Sequence, residues 1–210
     1  MTLDQAVLKI ENTMRLNSLP GAEAQYKMSA LGRRTRVADT FGTKEHKVGA
    51  VLILLYPHQN ELLFPLTQRH AYKGVHSAQV SLPGGKVEAE DVSTEATALR
   101  EAQEEIGVDS SKIEMLGKLT DLYIPPSNFL VHPYVGYLKS RPAMKKDDYE
   151  VAELFEASLS TLMDDRTIGE IKVPIPGNMK IKTPYFNIQE KVVWGATAMI
   201  LSELKEILTQ

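Results

Sequence analysis

Three glutamates, Glu101, Glu104 and Glu105, fall close together in the segment Gly84–Val108, GGKVEAEDVSTEATALREAQEEIGV. On a helix they are i,i+3 and i,i+4 neighbours, so their carboxylates share one face. Like charges at this spacing destabilise a helix by about 0.2–0.5 kcal/mol per pair. The C-terminal half of a helix also disfavours negative charge. A bound divalent cation removes both costs, and hard cations such as Mg²⁺ or Mn²⁺ take oxygen ligands. An ordinary solvated acidic face has the same composition, so the glutamates alone decide nothing. Their context adds Pro83-Gly84-Gly85 just upstream. Glycine lets backbone approach a ligand closely, and Gly85 can offer a carbonyl to the metal. Arg100 stands beside Glu101 and can pair with an acid of the preceding loop, Glu88 or Asp91.

The carboxylates need a helix, and the residues around them supply one. Ser93 is a suitable N-cap and Gly107 a suitable C-terminal residue, which predicts a helix over 93–106. Ala96, Leu99, Ala102 and Ile106 form its apolar side, expected to lie opposite the acids. Upstream, His46–Tyr56 and Glu61–Arg69 read as strands joined through Pro57-His58-Gln59-Asn60, a hairpin. Downstream, 117–123 and 130–138 read as strands, 148–163 as a second helix, and 171–188 as short strands broken by prolines. Trp194–Leu208 is an amphipathic final helix, with Leu201, Leu204 and Leu208 on one face. At the other end, Leu3, Ala6, Ile10 and Met14 mark a helix over 2–17, with a Thr2/Gln5 capping box and an end at Pro20-Gly21. Residues 22–46, with Arg33, Arg34 and Arg36, read as an irregular connector. Single helices between groups of strands imply an α/β chain with a mixed sheet covered on both faces.

Composition sets outer bounds. The chain of 210 residues is 43% hydrophobic and 24% charged, with a net charge of −3. It has no cysteine, so thiolate metal sites and disulfides are excluded and any metal sits on oxygen or imidazole. The charge gives no reason to expect a nucleic-acid partner. Its longest apolar run, Val48–Leu55, is too short to span a bilayer, and no secretory signal is evident, so a cytoplasmic location is expected.

The segment resembles the Nudix box, Gly-x5-Glu-x7-Arg-Glu-apolar-x-Glu-Glu-x-Gly-apolar. Gly85, Arg100-Glu101, Ala102, Glu104-Glu105, Gly107 and Val108 match it. Asp91 stands where the first glutamate belongs, and the stretch to Arg100 is one residue longer. Both features are similar to the coenzyme A diphosphatase (CoA pyrophosphatase) branch. So are three further segments: Leu66-Thr67-Gln68-Arg69 with His76–Gly85; Pro126-Ser127-Asn128-Phe129 with Val131; and Val193-Trp194-Gly195-Ala196-Thr197-Ala198. Gly74, Ala78 and Leu82 depart from that signature in the stretch expected to meet the coenzyme.

The resemblance implies a Nudix-type α/β/α sandwich over 46–210, preceded by an N-terminal helix and connector over 1–45. It implies metal-dependent hydrolysis of a nucleoside-diphosphate linkage, with coenzyme A or acyl-CoA giving 4′-phosphopantetheine, or its acyl form, and 3′,5′-ADP. Other Nudix substrates (ADP-ribose, a dinucleotide, a modified nucleoside triphosphate) and a non-catalytic nucleotide sensor are the alternatives. Mg²⁺ or Mn²⁺ is expected on Gly85, Glu101, Glu104 and Glu105. Arg100 orients Glu101, and the general base is Glu101, Glu150 or Glu153. Arg69, Lys73, Gly84 and Lys86 are expected at the substrate, although lone cations are also common on plain surfaces. His70, His76 and His132 lack metal-site spacing. Trp194 is expected in the core, with base stacking as the other option. The expected partner is a small nucleotide of coenzyme A type, with a homodimer as an option and neither nucleic acid nor membrane.

Overall fold

The structure, a computed structural model, describes residues 1–30, 46–70, 79–175 and 179–210. Its centre is strand β1, Lys47–His58. Along it Ala50, Leu52, Leu54 and Tyr56 face one hydrophobic cluster, while Ile53 and Leu55 face another. This period-two burial on both sides belongs to a strand with layers above and below it.

β1 turns into β2, Glu61–Arg69, through Gln59 and Asn60, both at positive φ. That is the conformation a two-residue hairpin turn requires. On its other edge β1 runs parallel to β7, Phe129–Tyr137. Two short strands follow β2: β3, Val80–Ser81, pairs with β2, and β4, Gly84–Lys86, lies antiparallel on β1. The stretch expected as one strand over 117–123 forms two, β5 at Glu114–Lys118 and β6 at Leu122–Ile124, both against β7. The break between them is anchored by Thr120, whose N–H and hydroxyl donate to Glu203.

The helix α3, Thr94–Ile106, covers one face of the sheet. The other face carries α5, Gly195–Thr209, and α1, Leu3–Arg15, whose Ala6 and Ile10 are fully buried. Thr2 and Gln5 close the expected capping box. Part of the segment read as irregular is helical: α2, Gly21–Tyr26, buries Ala24 and Gln25. Residues 31–45, with their arginines, lie outside the described residues.

The helix expected over 148–163 is corrected. Residues Val151–Ser158 form strand β8, and only Leu159–Met163 is helical, as α4. Val151, Phe155 and Leu159 fit a helical period, but Phe155, Ala157 and Leu159 also alternate. The open edge of β2 decides, pairing Leu63 with Ser158 and Gln68 with Glu153. The proline-broken stretch likewise forms longer strands: β9, Ile168–Ile175, and β10, Met179–Ile188, joined by β11, Lys191–Trp194, in a three-stranded sheet. No helix among the described residues is long and apolar enough to cross a membrane.

Candidate active site

α3 begins where Ser93 Oγ accepts the N–H of Ala96, and ends at Gly107 with φ 69°. Its buried side includes Ala102 and Ile106 of the expected apolar face but is rotated from it towards the acids. Thr97, Ala98, Glu101, Ala102, Glu105 and Ile106 are buried, while Ala96 and Leu99 are only partly so. Two adjacent i,i+4 rows therefore face inward: Ala98-Ala102-Ile106 packs in the core, and Thr97-Glu101-Glu105 lies beside it. Glu101 and Glu105 are 8% and 1% exposed.

The acids fit there because β4 opens with two glycines. A Cβ on Gly85 would overlap the Glu101 carboxylate, and one on Gly84 would overlap Ala50 and Val51 of β1. Gly84 N–H donates to Glu105 Oε2 at 3.1 Å. Arg69 Nη2 lies 3.4 Å from Glu105 Oε1 and 3.3 Å from the Gly84 carbonyl. Gly85→Ala is accordingly expected to leave the melting temperature almost unchanged, because the flexible end of Glu101 can give way. It should still lower turnover by about tenfold or more if the Glu101 carboxylate serves the reaction. Retained activity in this variant would refute the placement of Glu101.

Arg100 takes Asp91 rather than Glu88. Its Nε and Nη2 donate to the two Asp91 oxygens at 2.9 and 3.0 Å. Asp91 also accepts from the Glu88 N–H and from Thr97; Arg100 above all, and then these donors, hold its carboxyl well below the usual range. The same guanidinium reaches Glu101 at 3.1 Å, Glu104 at 2.7 Å and the Lys86 carbonyl at 3.1 Å. Asp91 fixes the fork of Arg100, and Arg100 in turn orients Glu101.

The third acid near Glu101 and Glu105 is Glu150. One carboxylate oxygen from each of the three lies within 4.8 Å of the others. Glu104 is not in this group; its side chain is 58% exposed and turns to Arg100. Glu153 does not join either. It pairs with Lys191 at 2.6 Å, because β8 has begun and alternation carries it away. No sequence spacing links position 150 to the helix, so only the fold reveals its membership. Burial pushes the Glu105 carboxyl up to about 7, against the pull of Arg69 and the Gly84 N–H; burial also raises Glu101. Two buried acids, whose arginines Arg69 and Arg100 are shared with the Gly84 carbonyl and with Asp91 and Glu104, and a third acid within reach suit a hard divalent cation held by oxygen.

Beside this cluster, on the far side of Arg69, Gly84 and Gly85, lies a cleft of about 420 Å³ that these residues line together with Lys86. Its far wall is apolar, with Ile124, Phe129, Val131, Trp194 and Ile200. Trp194 was expected in the core and is instead half-buried, lining this wall, because it is the last residue of β11 before α5 turns away. Leu82 is a core residue. His132 is paired with Asp121 at 2.7 Å, and His70 contacts the Asp148 carbonyl. Lys73 and His76 lie outside the described residues.

This fold and site are those of a Nudix enzyme. The NUDIX domain profile matches residues 46–170, and the chain belongs to that family. It is a Nudix pyrophosphohydrolase acting on phosphorus anhydrides. Among its relatives is the protein named uncharacterized Nudix hydrolase NudL of Photorhabdus laumondii subsp. laumondii. That protein is 34% identical over 141 residues, which is 67% of this chain and 74% of the relative. The NudL of Yersinia pestis (strain Pestoides F) is 33% identical over 142 residues, 67% of this chain and 70% of the relative. The fold is shared with the crystal structure of a MutT/nudix family protein from Enterococcus faecalis. There the TM-score is 0.52 and the identity 18%, over 87% of this chain and 71% of that one.

Proposed function

We propose that this hydrolase cleaves the diphosphate of coenzyme A or acyl-CoA, releasing 4′-phosphopantetheine or its acyl form and 3′,5′-ADP. The observation that carries this reading is the shape of the cleft. Its polar part is lined by Arg69, Gly84, Gly85 and Lys86, of which the first three touch the Glu101 and Glu105 carboxylates, and its apolar wall runs on through Val131, Phe129 and Trp194. A diphosphate needs only the first part. A pantetheine arm with an acyl group extends beyond its phosphates and needs the second. The similarity of the Trp194–Ala198 and Pro126–Val131 segments to the coenzyme A branch supports the same choice.

Glu101, Glu105 and Glu150 would hold Mg²⁺ or Mn²⁺, with Gly85 offering its carbonyl and Glu104 at the rim. Such a cation supplies neutralisation of phosphoryl charge and activation of water. Arg69, at the mouth and 39% exposed along its side chain, meets a substrate phosphate. Lys86 adds a second exposed cation beside it. Glu150 is the exposed member of the three acids, so water reaches its carboxylate oxygen, which accepts the proton of the attacking water. The convergence of these acids weighs against a purely nucleotide-sensing role.

The test is a panel of coenzyme A, acyl-CoA, ADP-ribose, NADH and nucleoside triphosphates, with Mg²⁺ or Mn²⁺, ranked by kcat/KM. Acyl-CoA and coenzyme A are expected to lead by about tenfold or more, on the order of 1.4 kcal/mol. If coenzyme A ranks last, the substrate assignment fails and the hydrolase assignment stands.

A further inference from the structure

We propose that Asp147 is the positioning residue for Glu150, tying the third carboxylate to the helix that bears the other two. This rests on the active site described above. The last carbonyls of a helix have no partner within it and must find donors elsewhere. In α3 two of them take donors from the segment that follows β7. Lys145 N–H donates to the Ile106 carbonyl at 3.0 Å, and Asp147 N–H donates to the Glu105 carbonyl at 2.9 Å. The Asp147 side chain then turns the other way. Its Oδ1 accepts the N–H of Tyr149 at 2.8 Å and of Glu150 at 3.0 Å. Its carbonyl accepts the N–H of Val151, the first residue of β8, at 3.0 Å.

Asp147 is thus joined on one side to the backbone of Glu105 and on the other to the backbone of Glu150. The side chains of those two residues meet in the acid cluster. Glu150 is exposed, so packing does not choose its direction; the turn beneath it does. Asp147 is exposed as well, and water replaces its bonds at small cost to stability. What its loss removes is placement, and a misplacement of about 1 Å costs on the order of 100-fold in rate.

Asp147→Ala is expected to lower kcat by about 30–100-fold, with KM within about threefold of wild type. Asp147→Asn keeps the Oδ1 acceptor and should stay within about threefold of wild type. Asp148→Ala removes an equal charge one position away, on a carboxylate bonded to Lys146, and should leave the rate unchanged. In a Glu150→Gln background, Asp147→Ala should cost less than about twofold more, because its effect runs through that side chain. A second readout needs no substrate: titration with Mn²⁺ alone. Affinity should fall about tenfold in Asp147→Ala and in Glu150→Gln, and no further in the double variant. The assignment is overturned if Asp147→Asn is as impaired as Asp147→Ala. It is also overturned if the double variant shows full additivity, or if Mn²⁺ affinity is unchanged by Asp147→Ala. If no panel substrate is cleaved, the proposed function fails, and the Mn²⁺ titration alone decides the role of Asp147.

Discussion

Glu105→Gln is expected to lose activity and gain stability together. On the activity side, the variant should turn over its substrate more slowly by on the order of 10²–10³-fold, the scale of removing one electrostatic stabiliser from an active site. On the stability side, the cause is burial. The Glu105 carboxyl is pushed up to about 7 in the fold, from 4.5 for an exposed glutamate. The folded state therefore holds this proton more tightly than the unfolded state does. Below about pH 4.5 the group is neutral in both states and costs nothing. As pH rises through the interval to about 7 the folded protein loses stability, by about 3 kcal/mol in total. Glutamine has the same shape and never ionises. In EDTA at pH 8 the variant should melt roughly 5–10 °C above wild type, at about 2–4 °C per kcal/mol for a chain of this size. At pH 4.5 the two should coincide. Scanning calorimetry at both pH values checks the sign, and added Mn²⁺ should raise the melting temperature of wild type only. Full activity in Glu105→Gln, or in wild type with EDTA, would sink the metal assignment.

The largest loss of stability is expected from Glu203→Ala. Glu203 is 0% exposed on α5, among elements distant in sequence. Its carboxylate accepts from Gly21 N–H at 3.2 Å, Gln25 Nε2 at 2.9 Å, Thr120 N–H at 3.3 Å and Thr120 Oγ1 at 2.6 Å. Alanine leaves these donors without their acceptor and opens a cavity in the packed core. Each buried unpaired donor costs about 1–3 kcal/mol, so a net loss of about 3–5 kcal/mol follows after partial collapse. Urea unfolding should show it as a lower midpoint. Glu203→Gln keeps the volume but turns one acceptor into a donor, and should fall between the two. A change below about 1 kcal/mol in the alanine variant would show that water replaces the carboxylate. Ser202 donates to the Ala24 carbonyl beside it, so the loss should appear first as protease sensitivity of α2.

The acid-bearing helix is legible because its signals are local. Ser93, Gly107 and the glycine pair all act within a few residues of the helix they bound or face. Which side it buries was not, because a helical wheel assigns glutamate outward by type. The wheel cannot know that Gly85 leaves a hollow for the Glu101 carboxylate and that Gly84 offers its N–H to Glu105. The strand at 151–158 was misread for a related reason. Val151, Phe155 and Leu159 satisfy both periods, and the vacant edge of β2 that settles the matter lies some 90 residues upstream. Glu150 and Trp194 share this dependence. Each matters through neighbours that only the folded topology supplies.

The parallel pairing of β1 with β7 has a consequence for how the chain acquires its structure. Lys47 lies opposite Phe129 and Leu55 opposite Tyr137, so partners are separated by about 80 residues. The central strand β1 cannot be completed by local zippering. A chain being synthesised must wait until β7 has been made; before then β1 packs against β2, β4 and α3 without it. Folding is therefore expected to be slow for a domain of this size, with an intermediate that lacks β7 and whose open β1 edge is its main opportunity for aggregation.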